Sequence, residues 1–245
     1  MNYIKLTALF IFFSVFSNAQ TEVHQDILDS IVMEADLLYK YEKIAWNATD
    51  LLMANPELKM DYGGYVIYHS SDTITASFID KTQENRIAKY SFTFSNLNEP
   101  FEVTLNSQTL DQTERLLLDV KINIIKQLSD PKYEVAFPEG YSPNLVLLRE
   151  PEAYKLYLIM GTGQSHLIPF GNDYLFQSDL NGTITSWRKF HSRIIPLQTK
   201  LPTGDIVLSG IHSHLQSTPY ISATDICTFR LYASLYGMKE FIVLS

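Results

Sequence analysis

Four residues near the C-terminus combine types and spacings that could hold a metal ion. They are His212 and His214, two apart, followed by Ser222 and Asp225, three apart. Ile206 to Ile211 predicts a buried strand, so His212 and His214, alternate residues at its end, project from one face of extended backbone. Ser222 and Asp225 open a predicted helix and lie about one turn apart on it. A helix packed beside the strand end brings the Asp225 carboxylate to the two imidazoles. Two neutral imidazoles and one carboxylate leave the fourth tetrahedral position free for water, the pattern of catalytic rather than structural zinc. Each half also has a plain explanation. A His pair can be satisfied polar groups at a strand end, and Ser-x-x-Asp is a serviceable N-terminal helix cap. All four at this spacing should coincide by chance only on the order of once in a few thousand sequences.

This segment resembles the JAMM metalloprotease family, whose signature is His-x-His, seven residues, Ser, two residues, Asp. It stands here as His212-Ser213-His214, Leu215 to Ile221, then Ser222-Ala223-Thr224-Asp225, after an apolar run into Gly210 and before a further strand. The resemblance covers residues 206 to 245, extends over 109 to 205 only as a loose order of elements, and does not reach 21 to 100. It implies zinc held by His212, His214 and Asp225, and metal-activated water attacking an amide carbonyl. Ser222 would face the developing oxyanion, and a Glu would accept the proton. The family has Pro after the second His, where this chain has Leu215. Its Glu lies closer to a following Gly than the nearest analogue here, Glu152, which is displaced by roughly 6.6 Å along a strand. Glu150 shares that face one step further away.

Other reactive residues have simpler readings. Cys227 is the only cysteine, and a lone Cys on an apolar helix face is a buried, inert thiol. No internal disulfide can form. Gly161-Thr162-Gly163 lacks the Lys and helix of a phosphate loop. His191, after Trp187-Arg188-Lys189-Phe190, reads as an exposed hairpin end, as does His166, and His69 falls in a strand meander outside the matched region.

The positioning elements follow from periodicity. Residues 22 to 55 repeat apolar positions at three and four, giving one or two helices. Tyr65 to Phe94 switches to period two, an antiparallel meander. A strand at 101–105 precedes a helix from near Thr109 with Leu116, Leu117, Val120, Ile124 and Leu128 on one stripe. Strands follow at 144–149 and 154–160, with a hairpin around Asn181-Gly182, a strong turn signal. The chain closes with the strand at 206–212, a helix over 222–236 stopped by Gly237, and the strand EFIVL. The expected fold class is α+β, with an N-terminal helix and meander (21–105) and a C-terminal mixed-sheet, JAMM-like metal-binding domain (106–245).

Residues 1–20 have one Lys, an apolar run from Leu6 to Phe16 and small or polar residues before Thr21, the layout of a signal peptide. The run is shorter than the roughly 20 residues of a spanning helix, and no Cys near the cleavage point offers a lipid acceptor. The expectation is an exported protein, periplasmic or secreted, without a membrane anchor. Removing the leader leaves 18 basic against 27 acidic side chains, which argues against nucleic acid as partner. Taken together, the expected function is an exported zinc-dependent peptidase, isopeptidase or amidase acting on a peptide or protein substrate. The alternatives are a non-catalytic binding or accessory protein on the same fold, and a purely structural domain.

Overall fold

The computed structural model describes the backbone of residues 4–214, 216 and 218–244, and side chains from His24 on, so the leader expected at 1–20 lies outside the described side chains. Helix α1 (Ile4–Met53) presents Ala35, Leu38, Tyr41, Ala45, Ala48 and Leu52 to the core, the three-and-four spacing of one buried face. A short α2 (Pro56–Asp61), capped by Asn55, turns the chain into an antiparallel meander. Its strands are β1 (Tyr62–Ser70), β2 (Thr73–Asp80) and β3 (Asn85–Thr93), with β4 (Glu102–Thr104) and β5 (Gln108–Thr109) both pairing with β3. The helix α3 (Gln112–Gln127) starts in a capping box of Asp111 and Glu114.

A second antiparallel sheet has the order β10-β9-β7-β6, from β6 (Ser142–Arg149), β7 (Tyr154–Gly161), β9 (Tyr174–Ser178) and β10 (Ile184–Lys189). Two small sheets complete the fold. One pairs β8 (Leu167–Gly171) with β11 (Ile194–Gln198). The other is the parallel pair β12 (Ser209–Ser213) and β13 (Glu240–Leu244), joined by α4 (Ala223–Tyr236). The α+β class is borne out, with the parallel and antiparallel pairings in separate sheets rather than one mixed sheet.

Strand alternation sorts the side chains into two cores. Ala76, Phe78, Val146, Tyr157 and Leu175 pack against α1 and α4, while Val66, Leu147, Leu156, Leu158 and Phe176 pack against α3 on the opposite face. The molecule is therefore layered, α1 and α4 above the sheets and α3 below, and the 21–105 and 106–245 regions share both cores. The Asn181-Gly182 turn seals the lower layer. A Cβ on Gly182, at φ +82°, would sit 2.8 Å from the Val120 carbonyl, so only glycine permits this approach. Gln127 of α3 donates to the Gly182 carbonyl at 2.7 Å.

Two strands depart from the periodicity reading. β8 and β11 place Pro169 opposite Pro196 in their ladder, and proline has no N–H to give, so both are short edge strands without the usual strand signature. The segment expected as a buried strand over 206–211 is strand only from Ser209. Ile206 and Leu208, which precede it, are 49% and 48% exposed, and Ile211 is 59% exposed because the two-stranded β12–β13 sheet buries only its His212 face.

Candidate metal centre

β12 places Gly210 and His212 on its buried side, and the imidazoles of His212 and His214 converge with their Nε2 atoms 2.9 Å apart. Asp225 is the third residue of α4. Its backbone N–H donates to the Ser222 hydroxyl at 3.0 Å, and the Ser222 backbone N–H donates to Asp225 Oδ2 at 3.1 Å. That reciprocal capping box fixes the carboxylate at the helix start. Asp225 Oδ2 lies 3.2 Å from His214 Nε2, and Oδ1 lies 3.6 Å from His212 Nε2. The fold thus brings His212, His214 and Asp225 together, as their spacing predicts.

A fourth donor was missed. His191, expected at an exposed hairpin end, is buried, with Nε2 3.0 Å from His214 Nε2 and 3.7 Å from Asp225 Oδ1. The cause is a corner in the sheets. β8 runs into β9 through Gly171-Asn172-Asp173, and β10 runs into β11 through residues 190–193. The two bends dock on each other: Asn172 N–H donates to the Arg193 carbonyl at 2.9 Å and Phe190 N–H to the Asp173 carbonyl at 3.0 Å. Gly171, at φ +79°, makes this approach feasible, since a Cβ there would collide with the Arg193 carbonyl oxygen. The corner turns His191 inward, where Asp173 Oδ1 accepts from its Nδ1 at 2.8 Å; Thr224 of α4 donates to the other Asp173 oxygen. Nothing local marks His191 or Asp173 in the sequence.

His191, His212, His214 and Asp225 each offer one ligand atom, all within 4.8 Å of one another. Tautomers decide what they can do. The Asp173 carboxylate requires a proton on His191 Nδ1, and the Tyr220 carbonyl, 2.7 Å from His214 Nδ1, requires one there. In their neutral forms both rings therefore aim Nε2 lone pairs at the same point. Two acceptors at 3.0 Å repel unless a cation or a shared proton lies between them. Asp225 Oδ1, buried, has no hydrogen-bond partner among the described residues. A tetrahedral ion bonded at about 2.0–2.1 Å would space its ligand atoms by about 3.3 Å; His214 Nε2 lies 2.9 and 3.0 Å from the other two imidazoles and Asp225 Oδ1 lies 3.6 and 3.7 Å from His212 and His191, on either side of that value. The four residues fit a metal ion, with a carboxylate behind His191 and a carbonyl behind His214 in the supporting shell.

The electrostatics agree. Burial pulls His191 down, but the Asp173 hydrogen bond and charge outweigh it, and its pKa is raised. The Asp225 hydrogen bond raises His214. Burial lowers His212, and Asp225 is lowered because the surrounding imidazoles overcome its burial. Asp173 and Asp225 thus favour positive charge at the imidazoles beside them, whether a proton or a metal ion carries it.

Ser222 is buried and committed: its hydroxyl donates to Asp225 Oδ2 at 2.7 Å while capping α4. Glu152 is exposed in the tight turn between β6 and β7, where Glu150 N–H donates to the Ala153 carbonyl. It does not line the cleft beside the centre. Glu150 pairs with Lys155 at 2.7 Å. The cleft, ≈ 460 Å³, reaches His214 and Ser222 and is walled by Ile27, Ile31, Tyr157 and Phe190, with Glu34 and Arg188 among its charged residues. Among the described residues no helix is long and apolar enough to cross a membrane. No known protein family, curated protein or solved structure matches the chain.

Proposed function

We propose that the chain is an exported, JAMM-like zinc protein whose centre organises a peptide-binding cleft rather than cutting what binds there. The carrying observation is the fourth donor: His191 Nε2 stands 3.0 Å from His214 Nε2 and 3.7 Å from Asp225 Oδ1, and the donor atoms of all four residues lie within 4.8 Å of one another. Three imidazoles and one carboxylate complete a tetrahedral set, and a closed set is the structural pattern for zinc. Imidazole-rich, near-tetrahedral donors favour zinc over magnesium, calcium or manganese. The remaining parts of a hydrolytic site are committed elsewhere, Ser222 to the helix cap and Glu152 to an exposed turn. The cleft fits a short peptide segment: apolar walls accept side chains, and Arg188 and Glu34 offer opposite charges to its polar groups.

Hydrolysis is the second reading, favoured by one observation. Glu34 shares the cleft with His214 and Ser222, so a carboxylate from α1 could act as proton acceptor in place of Glu152. A zinc ion bound here would supply Lewis acidity toward an amide carbonyl. Glu34, held by Lys155 at 2.9 Å, would have to release that partner.

Incubating the zinc-loaded protein with a mixed peptide pool, followed by mass spectrometry of bound and free fractions, separates the readings. Retained, intact peptides are the expected result. Chelator-sensitive cleavage that His214→Ala abolishes would replace the binding reading with the hydrolytic one.

A further inference from the structure

The two main sheets meet where β1 and β6 approach without pairing, and α1 crosses over that seam. A second pocket of ≈ 410 Å³ opens there, remote in sequence and in lining from the metal centre. Its walls are the half-buried rings of Trp46, Tyr62 and Tyr65, its rim carries the exposed Asp50, and Glu42 and Asn144 close it. No Lys or Arg is among its lining residues.

Glu42 is the anomaly. It is 1% exposed, and a carboxylate is seldom buried without a paired charge. Its Oε2 accepts from Asn144 Nδ2 at 3.0 Å, while Oε1 has no hydrogen-bond partner among the described residues. The nearest candidate cation, Lys121 of α3, donates instead to the Tyr65 carbonyl at 3.2 Å and lies over the Tyr65 ring. Among the described residues Glu42 makes no ion pair. Burial pushes its carboxyl up to about 7, and the Asn144 hydrogen bond, the charge of Lys121 and Trp46 offset only part of that burial.

We propose that this pocket binds a primary alkylammonium group, with the ammonium on the Glu42 carboxylate and its carbon stem against Trp46, Tyr62 and Tyr65. Aromatic faces attract a cation through the ring quadrupole, and a desolvated site strengthens that attraction. The buried carboxylate makes no direct ion pair, the charge of Lys121 reaching it only through space, and Asn144 holds one oxygen while the other has no hydrogen-bond partner among the described residues. An anionic ligand would meet Glu42 and Asp50 with no counter-charge, and a neutral alkyl ligand would leave Oε1 unsatisfied.

Isothermal titration of the zinc-supplemented full chain with n-butylammonium tests this, with 1-butanol as the uncharged isostere. Saturable butylammonium binding, weakened about ten-fold or more in Glu42→Gln, is expected, since removing one partner of a buried charge pair is costly. Butanol should bind no better to the wild type than to the variant. Nα-acetyl-lysine methylamide in a third arm identifies the source: tighter binding than butylammonium indicates a lysine side chain, weaker binding a free amine. No saturable butylammonium binding, equal binding to wild type and Glu42→Gln, or equal affinity for butanol would overturn the proposal. The comparison of butylammonium with butanol on the wild type needs no variant, so it holds even if Glu42→Gln is poorly folded.

Discussion

His191 Nε2 and His214 Nε2 face each other across 3.0 Å while the other nitrogen of each ring is committed to an oxygen, Asp173 for one and the Tyr220 carbonyl for the other. This pair joins two distant parts of the chain, the sheet corner at 190–193 and the end of β12. The corner holds its half in place by hydrogen bonds outside the ligand set. Asp173→Asn keeps the shape but removes the charge behind His191. Its zinc affinity should fall by about 10–100-fold, the usual cost of losing an outer-shell carboxylate. Competition titration against a zinc chelator measures this, and unchanged affinity would detach Asp173 from the centre.

Ser222 should matter with or without metal. Its hydroxyl caps α4 by accepting from Asp225 N–H at 3.0 Å, so Ser222→Ala should cost about 1 kcal/mol. The loss should be visible in denaturant titrations of the chelator-treated protein. A cost seen only in the zinc-loaded protein would show that the cap contributes little and that the residue acts through the metal.

Glu152 is exposed in a turn away from the cleft. Glu152→Ala should therefore change stability by no more than about 0.5 kcal/mol and leave zinc affinity alone. A large loss of zinc or of any peptide-directed activity in this variant would restore the role that the spacing to Gly161 suggests.

The pH dependence has opposite signs with and without zinc. The Asp225 hydrogen bond raises His214, and Asp173 raises His191 against its burial. In the metal-free chain that contributes stability fully present below the ordinary His value of 6.5 and lost as pH rises through the folded-state values. Zinc requires the neutral rings, so protons compete with it and its affinity falls as pH falls. The difference in Tm between zinc-loaded and chelated protein should thus widen from about pH 5 to about pH 8. A constant difference across that range would mean that these imidazoles do not bind the ion.

The legible part of the site was the part encoded by local geometry. His212 and His214 share a face because strands alternate, and Ser222 and Asp225 meet because a helix start repeats every turn. Both relations survive in the structure. His191 and Asp173 belong to a sheet corner in which β8–β9 and β10–β11 bend together, a relation between segments that no single stretch reveals. Gly171-Asn172-Asp173 has turn-forming residues, but a turn by itself does not say which segment docks on it. The paired prolines of β8 and β11 hid two strands for the same reason that they end the sheet there. The apolar run Ile206-Val207-Leu208 suggested burial because periodicity reports what a strand could bury, not whether another layer covers it.

The most direct test of the four-donor centre is zinc K-edge X-ray absorption on the purified full chain, alongside metal analysis. The wild type should hold one zinc per chain with three imidazoles and one carboxylate oxygen, and His191→Ala should show one imidazole fewer, its place taken by a light-atom ligand such as water. A wild-type protein with no stoichiometric metal, or a His191→Ala centre identical to the wild type, would contradict the account.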